Sequence, residues 1–255
     1  MNASTPHDPA RPGIFRRRLL VTTAPGLARA DVEDDAHRFG VLVRHDDRRV
    51  TSFEGRAPRT PWTLCRGALT VLDRLVGMPL SPNPVDAYRH TKSTEQCTHL
   101  FDLAALAIAH SARGTVRRQY DVDIPVHDMT SPRVATLRRD GEVVLTWTVS
   151  DRTHILGPDI FAGRDIRSVL TWAESGLPAL DDYEAVFVMR RAWLVSVSRE
   201  IDQDRFPKAD SPLHAKIGAC FVYQYGVVEH ATRSWGATLD FTGTPERMLE
   251  DLDTS

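Results

Sequence analysis

Two runs of β-favouring residues, 133–137 and 143–149, flank the turn Arg139-Asp140-Gly141-Glu142. Asp-Gly is a pair that a two-residue hairpin loop selects, because both central positions take positive φ there. The spacing predicts an antiparallel strand pair. A second pair is predicted at 39–44 and 50–55 around the turn His45-Asp46-Asp47-Arg48.

Around these hairpins the periodicity changes. Residues 15–23 read as a first strand, and Asp31 to Asp35 as a polar stretch leading to His37. Thr63 is placed to cap a helix carried by Leu69, Leu72, Leu75 and Val76 and closed by Gly77. A short helix is predicted at 85–92 and a longer one at 95–110, opened by Thr94. Residues 159–175 read as a helix interrupted by Gly163, 227–235 as a helix, and Thr244 as the cap of a terminal helix. Residues 181–198 read as a buried helix, with a strand as competitor because Val and aromatics dominate. The pattern predicts an α+β fold of two halves, 14–114 and 115–255, each a small antiparallel sheet covered by helices, behind a loose arm at 1–13.

Composition narrows the partners. A formal net charge of -2 from 32 basic and 34 acidic side chains leaves no basic stripe for nucleic acid. No apolar run reaches the roughly 18 residues of a membrane span. Cys65, Cys97 and Cys220 are odd in number and widely spaced, which argues against a disulfide framework and for reduced thiols in a cytoplasm. Neither a Gly-x-Gly-x-x-Gly nor a P-loop occurs, so the expected partner is a small-molecule substrate without a nucleotide cofactor; self-association is left open.

The densest reactive chemistry is Glu95-Gln96-Cys97-Thr98-His99-Leu100-Phe101-Asp102. On a helix His99 and Asp102 share a face, while Cys97 and His99, two apart, do not. His99 with Asp102 therefore predicts an oriented imidazole for proton transfer. His37, in Asp34-Asp35-Ala36-His37, and His127, beside Asp128, also sit near acids. Cys65 is expected in the first turn of a helix, where the dipole favours a thiolate. Cys65, Cys97 and His99 would make three soft ligands for zinc or iron, with water, Asp102 or His37 as a fourth. No Cys-x-x-Cys or His-x-x-x-His spacing supports that set, and buried cysteine more often acts as a small hydrophobe. Arg59, in a proline-rich loop, suits a substrate carboxylate, and Trp62 and Tyr223 suit the wall of a substrate pocket.

The runs Thr60-Pro61-Trp62-Thr63-Leu64-Cys65, Leu75-Val76-Gly77-Met78-Pro79-Leu80 and Cys97-Thr98-His99-Leu100 resemble a bacterial family catalogued as a domain of unknown function, number twenty-eight eighty-nine. The resemblance implies a small catabolic enzyme, a companion of enzymes that degrade aromatic or acyl compounds. A fainter likeness is to the layout of iron–sulfur scaffold proteins of the NifU type, from which the chain departs at Arg66-Gly67-Ala68, where a further cysteine would stand. The leading expectation is a lyase, hydratase or isomerase acting on a hydrophobic aromatic or acyl substrate, with His99 as acid/base, Asp102 as its orienter and His37 as a further catalytic candidate. The alternatives are a metal- or iron–sulfur-binding protein built on Cys65, Cys97 and His99, and a non-catalytic small-molecule binder.

Overall fold

The computed structural model describes residues 13–126, 132–150, 153–211 and 217–252; the expected arm up to Pro12, and His127, lie outside them. The described residues form eight strands: β1 (Gly13–Ala24), β2 (Leu27–Asp34), β3 (Arg38–His45), β4 (Val50–Arg59), β5 (Arg117–Val126), β6 (Arg133–Arg139), β7 (Glu142–Ser150) and β8 (His154–Gly157). They form one sheet in the order β4-β3-β2-β1-β5-β6-β7-β8. The pairs β2·β3, β3·β4, β5·β6, β6·β7 and β7·β8 are antiparallel. The α+β character stands, but one eight-stranded sheet replaces the two small sheets expected.

The reason lies in β2 and β5. β2 reads as polar because it holds Asp31, Glu33 and Asp34, yet all three are buried. A buried carboxylate persists only when paired, and all but one of the cations come from β3 and β4. Asp31 accepts from Arg38 at 2.9 Å, Arg56 at 2.7 Å and Arg29 at 2.7 Å, and Glu33 from Arg59 at 2.9 Å. In β5 the pair Arg117-Arg118 reads as a boundary, whereas it opens a strand that alternates buried and half-buried residues as far as Val126.

The described residues divide into two compact units. The first draws on the described residues of 13–18, Gln119–Asp202 and 239–252, the second on those of Leu19–Arg118 and Gln203–Thr238. In the second, α1 (Asp86–His90) precedes α2 (Thr98–Arg113), which packs against β2 and β3. The run Leu103-Ala104-Ala105-Leu106-Ala107 combines strong helix formers, and every residue from His99 to His110 is buried. Leu100, Leu103 and Leu106 are fully enclosed, each contributing about 1.5–3 kcal/mol. Gly114, with φ at 68°, ends the helix in the left-handed region open to glycine.

In the first unit, α4 (Leu180–Ser196) packs on β6 and β7, and α3 (Val169–Gly176) packs on α4. The expected β6–β7 hairpin forms, with φ of 51° at Asp140 and 94° at Gly141, both positive as that turn requires. The helix expected over 159–175 begins only at Val169. That expected over 227–235 is a single 3-10 turn, Val228–His230. Arg233 leaves the helical path there to donate to the Pro61 carbonyl at 2.9 Å and to Asp204 at 2.7 Å.

Candidate functional site

The site belongs to the second unit and is built on the turn joining β2 to β3. The amide of Asp34 donates to the His37 carbonyl at 2.9 Å, closing a hairpin over Asp35 and Ala36. Asp34 Oδ1 accepts from the amides of Ala36 at 3.0 Å and His37 at 2.9 Å, and from His37 Nδ1 at 2.8 Å. The short side chain thus shapes the turn, as Asp does in such loops, and also fixes the imidazole.

His99 enters from the first turn of α2, and its ring stacks on His37 at 3.9 Å between centroids and 26° between planes. Phe39 lies against His99 at 5.5 Å. Among the described residues, Asp34, His37 and His99 form the group that can offer three ligand atoms to one ion, all within 4.8 Å of one another and all buried. His37 and His99 retain 9% and 8% exposure, so the pair sits at the edge of the core rather than at its centre.

The other expected residues gather nearby or are engaged elsewhere. Asp102 accepts the hydroxyl of Tyr88, and the carboxylate of Asp34 bonds the imidazole of His37. Arg59 holds the turn. Nη1 donates to the carbonyls of Asp35 at 2.6 Å and Ala237 at 2.9 Å, and Nη2 to Asp34 at 2.6 Å, His37 at 3.3 Å and the Glu33 carboxylate at 2.9 Å. Trp62 Nε1 donates to the Tyr223 hydroxyl at 3.1 Å, bringing together two residues that lie far apart in sequence.

All three cysteines are free thiols. Cys97 lies at the N-cap of α2 without a side-chain cap bond, its Sγ 3.9 Å from His99 Nδ1. Burial, and after it nearby Cys220, push its thiol up to about 12. Cys65 opens a 3-10 helix, Thr63–Leu75, but no thiolate is favoured there: burial, then Cys97 and Cys220, raise its thiol well above the ordinary range. Desolvation outweighs any helix-end field. Burial likewise raises the Tyr223 phenol. Sequence reasoning under-weighted Asp34, whose signal is the Asp-x-x-His spacing across a two-residue turn.

No helix among the described residues is long and apolar enough to cross a membrane. No protein-family model matches the chain, and none of the curated proteins matches it.

Proposed function

We propose that the chain is a metal-dependent enzyme of the lyase or hydratase type, with zinc or iron held by Asp34, His37 and His99. The observation that carries this reading is the approach of two imidazoles and a carboxylate to within 4.8 Å in a buried setting. Bonds of about 2.0–2.1 Å to a tetrahedral zinc set neighbouring ligands roughly 3.4 Å apart. The widest separation within the group therefore needs to close by at most about 1.4 Å. Three protein ligands leave the open position of a catalytic centre, and two His with one carboxylate also suit non-haem iron. A metal there supplies a Lewis acid for a carbonyl oxygen or an activated water for hydration. Phe39 gives the centre an aromatic wall, in keeping with an aromatic or acyl substrate. The free thiols suit a reducing cytoplasm.

The 2.8 Å bond from His37 to Asp34 favours a second reading, metal-free acid–base catalysis by His37 with Asp34 as its orienter. Hydration and elimination assays on small aromatic and acyl compounds, run on chelator-treated and metal-reloaded protein, separate the two. Turnover restored by zinc or iron and lost in His99→Ala supports the metal enzyme. Turnover indifferent to chelator supports the acid–base reading. Full turnover in both His37→Ala and His99→Ala removes both.

A further inference from the structure

We propose that the first unit carries a separate binding site for a small oxyanion, a carboxylate or phosphate group. It lies in a cavity of about 210 Å³ over the face of β1, β5 and β6, closed on one side by Pro245 and Met248. Strand alternation sets Arg16 and Arg18 on the same face of β1. They meet Asp121 and Asp123 of β5 and Arg138 of β6. Arg18 pairs with Asp121 at 2.5 Å, while Asp123 is shared by Arg16 at 3.2 Å and Arg138 at 2.8 Å. Asp121 also accepts the Gln119 amide at 2.7 Å.

Three guanidiniums thus meet two carboxylates. These five side chains give that face a formal charge of +1; Arg17, the intervening residue of β1, has its side chain on the opposite face. A solvated ladder of ion pairs would balance its charges; this one keeps a cationic excess around a hollow. Nε of Arg16 is moreover buried without a hydrogen-bond partner among the described residues. The desolvation of that N–H is uncompensated, and an anionic oxygen would supply the missing acceptor. Guanidinium forks match carboxylate and phosphate oxygens, and the carbons of Pro245 and Met248 leave room for a short apolar tail. The proposal is independent of the metal reading.

The test is titration of the full chain with inorganic phosphate and with butyrate, at constant ionic strength against chloride. At least one should saturate; butyrate alone indicates an organic acid, phosphate alone a phosphorylated compound. Arg16→Gln and Arg138→Gln should each weaken binding about tenfold, as loss of one charge-assisted hydrogen bond predicts. Arg44→Gln, on an exposed position of the second unit, should leave it unchanged. Asp123→Asn should tighten binding severalfold, because it frees two guanidiniums, and it guards against reading a misfolded arginine variant as lost affinity. No saturation by either anion, equal weakening in all three arginine variants, or weaker binding in Asp123→Asn would each overturn the site.

Discussion

Arg59 donates to the backbone carbonyl of Asp34 at 2.6 Å, and so holds from behind the residue whose carboxylate fixes His37. One guanidinium grips three carbonyls of a single tight turn together with Glu33. The candidate centre is therefore rigid on its β2–β3 side and depends on a cation twenty-two residues beyond His37 in the chain.

Replacing that cation is expected to be costly. Arg59→Ala removes the guanidinium from Glu33 and its donors from the Asp34 and Asp35 carbonyls. The expected loss is about 3–5 kcal/mol, as for other broken buried pairs. Arg59→Lys should recover only part of it, since an ammonium lacks the planar fork. Urea denaturation of the two variants checks this; equal stability of Arg59→Ala and the parent contradicts it.

Asp34→Asn keeps the size of the side chain and removes its charge. The turn amides retain an oxygen acceptor, so stability should fall by only about 1–2 kcal/mol. Affinity for zinc should fall by roughly 10–100-fold or more, because the carboxylate both orients His37 and belongs to the ligand group. Calorimetric titration with zinc beside a denaturation curve separates the two effects.

Gly40 is required by space. A Cβ there would lie 2.4 Å from Asp31 Oδ1, the carboxylate neutralised by Arg38 and Arg56. Gly40→Ala must displace a buried ion cluster and should cost about 2 kcal/mol or more. Thermal unfolding reads the change directly.

The buried thiols set an alkaline limit. Cys97 is raised from an ordinary 9.0 to about 12, so the fold keeps the neutral form while the unfolded chain ionises. Its stabilising contribution is complete below pH 9 and is lost progressively as pH climbs toward 12. The slope is at most about 1.4 kcal/mol per pH unit for each such thiol. Cys97→Ala should flatten the decline between pH 9 and 11, and native Cys97 should resist alkylation at pH 8. Rapid alkylation at that pH would contradict its burial.

Much of the local structure was legible in the residues. Asp140-Gly141 announces its turn through the one conformation the pair favours, and the Leu/Ala run of α2 is helical by composition. Long-range charge pairing was not legible. β2 hides behind acids that become burial-compatible only when Arg38, Arg56 and Arg59 arrive from β3 and β4. The single sheet is illegible for the same reason, as is β5 behind Arg117-Arg118. At the site, the three-residue helical spacing of His99 and Asp102 is visible in a sequence, whereas the approach of Asp34 and His37 to His99 is not. The stacking of a hairpin histidine on a helical one is a tertiary fact. The placement of Cys65 at a helix start carries no information on its burial, which decides its chemistry.

X-ray absorption at the metal edge of zinc-loaded protein addresses the central claim most directly. The account predicts a first shell of nitrogen and oxygen at about 2.0–2.1 Å with no sulfur. Cys97 Sγ lies 3.9 Å from His99 Nδ1 but is not one of the three residues whose ligand atoms converge. A sulfur shell at about 2.3 Å, or a protein that takes up no zinc at all, would contradict it.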